Sequence, residues 1–362
     1  MRIQKATAKY EAWLGKRISI LEQDLELKHV HMAEDPFPFL RATFYRWAQV
    51  WPEVCPELAK APHVLAVGDL HVENFGTWRD IEGRLIWGVN DFDETYPMAY
   101  TNDLVRLAVS AHLAIAGNHL ALKTEDACAM ILEGYREGLK AGGRPFVLEE
   151  EHHWLREAAT GVLRDPVNFW KKMDSLPTVK GDVPKSARKA LDALLPEGGL
   201  TCRIAHRVAG LGSLGRERFV ALTEWRGGKV AREAKALLPS ACVWANKGKG
   251  WTRIFYEDII TGAVRVMDPF VHLRGRWIVR RLAPHCSRVE LSALPKKREE
   301  ERLLRAMGFE TANVHLARRK AVKALRRDLA RRKADWLHTA VKELIKVVLK
   351  DWEEWREAWR ER

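Results

Sequence analysis

The sequence predicts an α+β protein with three parts: a mostly helical segment over residues 1–200, a small β-rich segment over 201–295 and charged helices over 296–362. Three observations predict it. Apolar residues recur at helical spacing near both ends of the chain. Short apolar runs bounded by Pro, Gly and Asn interrupt the first part and read as buried strands, each followed by a polar loop. A segment from about residue 201 carries strand patterning on both sides of the turn Arg226-Gly227-Gly228-Lys229. At 362 residues there is room for two or three folding units, or one large two-lobed unit, at roughly 100–200 residues each.

Composition narrows the class. Hydrophobic residues make up 47% and charged residues 30%, the balance of an ordinary globular chain, which excludes disorder and collagen-like repeats. No stretch approaches the ~18 consecutive apolar residues of a membrane span; the apolar run 108–116 is broken by Ser110 and His112. The opening Met1-Arg2-Ile3-Gln4-Lys5 enters a charged pattern with no apolar signal core, so a cytoplasmic protein without a membrane partner is expected. Cysteines at 55, 128, 202, 242 and 286 are too scattered for a Cys-x-x-Cys zinc site or a disulfide framework, and read as small buried thiols. Lys and Arg number 61 against 48 Asp and Glu, for a net +13, which favours anionic partners. Residues 318–333 hold nine cations and one Asp, so this run alone supplies +8.

Taken in order, residues 4–29 read as an amphipathic helix stopped by Pro36 and Pro38, and 39–51 as a second helix ended by Pro52. Residues 63–67 and 85–89 read as buried strands, followed by polar loops at 68–76 and 90–95. Two helices are expected over 101–140 with a break near Gly117-Asn118, and helical pieces over 149–196. Strands are expected at 203–209, 218–225, 230–236, 263–267 and 277–282, with a glycine-rich turn at 210–215. The stripe Val348, Trp352, Trp355 and Trp359 reads as core packing of a last helix.

The two polar loops carry the chemistry. The first reads Gly68-Asp69-Leu70-His71-Val72-Glu73-Asn74-Phe75-Gly76 and the second Asn90-Asp91-Phe92-Asp93-Glu94-Thr95. Mg²⁺ takes hard oxygen ligands, usually one or two carboxylates plus phosphate oxygens. Asn74, Asp91 and Asp93 offer such oxygens, and Asp69, five residues before Asn74, could sit near an incoming hydroxyl. That is the division of labour in phosphoryl transfer. The third element is Gly210-Leu211-Gly212-Ser213-Leu214-Gly215. A dinucleotide site would need a helix after these glycines. A strand follows instead, as in the flap that covers phosphates in kinases. The return strand offers Arg232 or Lys235 to the phosphates.

These residues resemble a known pattern. Gly68-Asp69-Leu70-His71-x-x-Asn74 is similar to the catalytic loop of aminoglycoside-phosphotransferase-type kinases, and Asn90-Asp91-Phe92-Asp93 to their metal-binding segment. The whole set, with Phe39-Leu40-Arg41, Asp103-Leu-x-Arg106-Leu, the glycine turn and Arg232-Glu233-Ala234, resembles the bacterial family called domain of unknown function 2252 over about 37–317. The resemblance implies a kinase-like two-lobed fold. Because the catalytic loop precedes the glycine turn, that fold would be circularly permuted, with C-terminal helices added. It implies ATP and Mg²⁺ as cofactors and a small-molecule or protein acceptor. Asp69 would be the base, with His71 near the transferred phosphate; Asn74, Asp91 and Asp93 would serve the metal. Gly210, Gly212, Ser213 and Gly215 would approach the nucleotide phosphates, and Asp103 would brace the catalytic loop. Where relatives carry Lys-Glu-Ala, this chain has Arg232-Glu233-Ala234, and Arg for Lys is not conservative. Lys235 is the alternative, on the opposite strand face from Arg232. The expected function is therefore an ATP- and Mg²⁺-dependent phosphotransferase. A nucleotide-binding pseudokinase scaffold, or a protein that binds nucleic acid or an acidic partner through 318–333, are the alternatives.

Overall fold

The chain opens with two helices, α1 (Ile3–Gly15) and α2 (Glu22–Glu34), where the spacing predicts one. The break falls where a distant part of the chain takes over its hydrogen bonding: the Leu21 amide donates to the Gly215 carbonyl at 2.9 Å. Pro36 and Pro38 begin a helix rather than ending one. In α3 (Pro36–Ala42) the Asp35 carboxylate accepts from the Phe37 amide at 2.8 Å, and proline in the first turn sacrifices no helical hydrogen bond. α4 (Phe44–Val54) continues through Pro52, and α5 (Pro56–Ala59) follows. The computed structural model describes residues 1–149, 151–159, 165–286 and 299–361.

β1 (His63–Ala66) and β4 (Tyr96–Ala99) pair antiparallel and bracket both acidic loops. Between them β2 (Phe75–Arg79) and β3 (Leu85–Val89) form a hairpin, extended by β5 (Phe146–Val147). Neither β2 nor β4 is among the expected strands. β2 is buried along most of its length and lacks the alternation that marks a half-exposed strand. α6 (Thr101–Ala116) and α7 (Thr124–Ala141) fall as expected. α8 (His153–Ala159), α9 (Pro166–Asp174) and α10 (Lys185–Asp192) are the described helical pieces before the next sheet.

An antiparallel five-stranded sheet follows, of β6 (Arg203–His206), β7 (Arg218–Trp225), β8 (Gly228–Ala236), β9 (His272–Arg274) and β10 (Trp277–Leu282), in the order β6-β7-β8-β10-β9. α11 (Ala241–Ala245) and α12 (Tyr256–Gly262) link β8 to β9. No strand forms at 263–267. There the Val264 amide donates to Asn313 at 3.0 Å, and Arg265 lies over the rings of Trp78 and Phe92, so side-chain burial, not a ladder, fixes the segment.

α13 (Glu299–His315), α14 (Val322–Arg331) and α15 (Trp336–Arg360) pack back against the first helices, α13 on α7 and α15 on α6 and α2. One hydrophobic core runs from Ile3 in α1 to Trp355 in α15, so the last helices share the core of the first ones. The boundary expected between 295 and 296 lies outside the described residues. Val348 and Trp355 are buried, with Trp352 and Trp359 packed beside them. Leu325 and Leu329 turn inward from the basic run, leaving Arg319, Lys320, Lys323 and Arg327 exposed. A separate core joins α10 to one face of the five-stranded sheet through Leu191, Phe219, Ala234 and Trp277. Its other face turns toward the acidic loops. Among the described residues no helix is long and apolar enough to cross a membrane.

Candidate functional site

The first acidic loop is held from beneath. The fully buried Asp103, in the first turn of α6, accepts from the Val67 amide at 2.6 Å and from the Gly68 amide at 3.0 Å. His315 of α13 meets the same carboxylate at 2.9 Å. Leaving one such buried amide unpaired costs about 1–3 kcal/mol, so Asp103 braces the loop as the sequence led us to expect. Gly68 itself has φ +81, and a Cβ there would stand 2.4 Å from the Glu94 carbonyl oxygen. Only glycine lets the two acidic loops approach this closely.

Asp69 is turned toward α6, where Arg106 binds it through Nε at 2.9 Å and through Nη2. Arg106 also donates to the Leu40 carbonyl at 2.8 Å and is fully buried. Burial raises the Asp69 carboxyl above its usual range, against the pull of Arg106. His71 accepts from the Glu73 amide at Nδ1, 3.2 Å away, which places its proton on Nε2 when the ring is neutral. Arg41 of α3 pairs with Glu73.

Asn74 ties the two loops together. Its Nδ2 donates to the carbonyls of Asp69 (3.2 Å) and Asp91 (3.0 Å), and its Oδ1 accepts from the Asp91 amide at 2.9 Å. What Asn74 can still give a cation is therefore the second lone pair of Oδ1. Asp91 and Asp93 converge on Lys235: Nζ lies 3.1 Å from Asp91 Oδ2 and 2.6 Å from Asp93 Oδ2. This is the acidic partner that spacing alone left unnamed. Burial and the Asp91 charge push the Asp93 carboxyl up, so the pair retains a proton to higher pH than a lone carboxylate. Glu94 turns away to Arg216 (3.1 Å), Ser240 (3.0 Å) and the Ala241 amide (2.7 Å), fastening the second loop to the chain just before β7 and at the start of α11.

The glycine turn closes over this surface. Residues 211–213 form one short 3-10 turn packed on α3, and a Cβ on Gly212 would come 3.0 Å from the Arg41 carbonyl and 3.4 Å from Asp69 Oδ2. Ser213 donates to the Gly210 carbonyl (3.0 Å) and accepts from Arg218 (2.8 Å). Gly215 takes the Leu21 amide. Behind the turn, the fully buried Glu233 receives Arg207, Arg218 and Arg280. Burial raises this carboxyl, but the three guanidinium groups outweigh it and hold it well below its usual range.

A cleft of about 490 Å³ lies between the loops and the turn, lined by Asp69, His71, Asn74, Asp91, Asp93, Gly210, Gly212 and Ser213. Neither Lys235 nor Gly215 is among its walls, and neither is Arg232. Arg232 lies on the other face of β8, donating to the Leu194 carbonyl at 2.8 Å and packing over Phe270. Strand alternation decides between the two candidate cations and puts Lys235 on the acidic side. Among the described residues no cluster of three or more Asp, Glu, His or Cys is arranged around a metal position. The donor set nevertheless suits Mg²⁺, which needs only one or two carboxylates when phosphate supplies the rest. Asp93 lines the cleft, and its buried Oδ1 has no hydrogen-bond partner among the described residues.

Sequence reasoning gave no role to Arg106, although it lies in the quoted Asp103-Leu-x-Arg106 pattern. It also passed over Arg207, Arg218 and Arg280. Their only signal was alternation along β8, which sets Glu233 on the same face as Lys235. No curated protein and no solved structure matches the chain. One family model matches residues 20–167, which include both acidic loops and Asp103 and end before the glycine turn. Over those residues the chain is similar to the family described as "Uncharacterized protein conserved in bacteria (DUF2252)".

Proposed function

We propose that this cleft transfers the terminal phosphoryl group of ATP to a hydroxyl-bearing acceptor. The observation that carries the reading is the approach of Gly212 to Asp69, with Lys235 set on Asp91 and Asp93. Residues from three separated stretches, at 69–74, 90–94 and 210–213, line one cavity large enough for a ligand. Two relations to protein kinases support it by analogy. The spacing Asp69-x-x-x-x-Asn74 matches the Asp and Asn of their catalytic loop. The glycine turn joins the first and second strands of the five-stranded sheet, and Lys235 lies on the third, where kinases carry their lysine. In this reading the fold is a permuted kinase arrangement, with the catalytic loop ahead of the β lobe.

In the transfer, Asp69 Oδ2 takes the acceptor's hydroxyl proton, since Oδ1 is occupied by Arg106. The acceptor oxygen bonds to the γ-phosphorus as the bond from that phosphorus to the β–γ bridging oxygen breaks, and ADP leaves. Arg106 fixes the orientation of the base, and burial keeps its proton affinity above that of a free Asp. Asp91 and Asp93, with the Asn74 Oδ1, would hold Mg²⁺, which neutralises phosphate charge when bound. Gly212 offers backbone without a side chain at the place where a phosphate must come close.

Single-turnover reaction with γ-labelled ATP and Mg²⁺ tests the reading, scoring ADP, phosphate and labelled protein. Wild type should turn over, and Asp69→Asn should bind nucleotide but lose at least about a hundredfold in rate, the usual scale of a general base. Equal rates would remove Asp69 from the chemistry. Binding without turnover in wild type would leave a nucleotide-binding scaffold.

A further inference from the structure

We infer that Arg207, Arg218 and Arg280 form an anion subsite in the cleft that takes a phosphate group. The inference rests on the reading of the cleft as a phosphoryl-transfer site and narrows its ligand to one with a phosphate at this position, separate from the Lys235 contact.

Three guanidinium groups share one fully buried carboxylate. Arg207 meets Glu233 Oε2 at 2.5 Å, and Arg218 and Arg280 each meet Oε1 at 2.8 Å. One arginine would satisfy Glu233; three leave a formal +2 in a place where charge is costly without compensation. All three arginines line the cleft. Arg218 spends a second donor on Ser213 of the glycine turn at 2.8 Å. Arg280 reaches Glu233 through Nε alone, and Arg207 through Nη1 alone, so their remaining N–H groups have no other hydrogen-bond partner among the described residues. Side chains of Arg207 and Arg280 remain 21% and 25% exposed, enough to be reached.

The sheet register explains the gathering. Glu233 stands directly across from Arg280 on β10 and from Val220 on β7, with Arg218 opposite Lys235. Arg207 follows the end of β6. The cluster therefore adjoins Lys235, Asp91 and Asp93, where one cation faces two carboxylates. An electropositive pocket beside an electronegative one fits an anion whose far side is shared with a cation. Planar arginine forks favour phosphate over a single-point anion.

Calorimetric titration of the full chain with inorganic pyrophosphate, at low salt and without divalent metal, tests this. Wild type should bind saturably, and Arg207→Ala and Arg280→Ala should each bind at least about tenfold more weakly with native unfolding midpoints. Arg207→Lys should recover only part of the affinity, because the charge returns without the fork. Absence of pyrophosphate binding in wild type, or unchanged affinity in a folded Arg207→Ala, overturns the inference. Repeating the titration with a nonhydrolysable ATP analogue at saturation separates two sources. Competition assigns the phosphate to the nucleotide, and retained binding assigns it to a phosphorylated acceptor. The failure of this inference and the failure of the transfer reading are distinguishable: arginine-dependent binding with no loss of turnover in Asp69→Asn would keep the subsite and reject the assigned base.

Discussion

Lys235 and Asp93 form a 2.6 Å ion pair whose side chains are only 4% and 8% exposed, joining the strand behind the glycine turn to the second acidic loop. Asp91 shares the same ammonium at 3.1 Å. The pair does two jobs: it ties β8 to the second acidic loop, and it keeps two neighbouring carboxylates from repelling each other apart.

Lys235→Ala should therefore destabilise the protein by about 3–5 kcal/mol, the scale for removing one partner of a buried pair. The cost should depend on pH. Without the ammonium, two ionised carboxylates face each other, and a proton relieves the repulsion. Burial and Asp91 already raise Asp93 in the presence of the lysine. The loss should consequently be larger at pH 8 than at pH 5, read from urea midpoints at both. A pH-independent loss would mean that Lys235 acts only by packing.

Gly212→Ala should separate closeness from stability. Its added Cβ would meet the Arg41 carbonyl at 3.0 Å and Asp69 Oδ2 at 3.4 Å, and Gly212 carries no positive φ. The turn can shift by tenths of an ångström without unfolding. We expect a stability change within about 1 kcal/mol and a turnover loss of roughly tenfold or more, because small displacements of reacting groups are expensive. Unimpaired turnover in Gly212→Ala would show that the turn does not approach the reacting groups.

Glu310 offers a pH test away from the cleft. This residue of α13 is buried beneath β3, accepting from the Val89 amide at 3.2 Å and from Asn313 at 2.8 Å. Burial raises its carboxyl to about 7, against the opposing charge of Arg265. The folded state then binds a proton that the unfolded chain releases near pH 4.5, so this group's contribution falls as pH rises from about 4.5 through 7. At about 1.4 kcal/mol per pK unit, the wild type should lose about 3 kcal/mol through this group over that range. Glu310→Gln should flatten the stability profile between pH 5 and pH 8. Parallel profiles in the two proteins would place the titration elsewhere.

Much of the site was legible in the sequence because its motifs are local. Asp69 through Asn74, Asp91 with Asp93, and the glycine turn each depend on spacing within a few residues, and each loop follows a strand whose apolar run is plain. β3, β7 and β10 were legible for the same reason. What stayed hidden depends on distant partners. The split between α1 and α2 is made by Gly215, and the irregular path of 263–267 by Trp78, Phe92 and Asn313. Prolines 36 and 38 were ambiguous in principle, because proline both ends one helix and opens the next; Asp35 as a cap was the overlooked signal. The choice of Lys235 over Arg232 needed only strand alternation, whereas the arginines around Glu233 needed the register of three strands.

The most direct test of the central claim is calorimetric titration of a nonhydrolysable ATP analogue into wild type and Asp91→Ala, with and without Mg²⁺. Cleft binding between the glycine turn and the acidic loops predicts saturable binding strengthened by Mg²⁺ in wild type, with the Mg²⁺ effect lost in Asp91→Ala. No binding of the analogue to wild type under either condition, or an equal Mg²⁺ effect in both proteins, would contradict it.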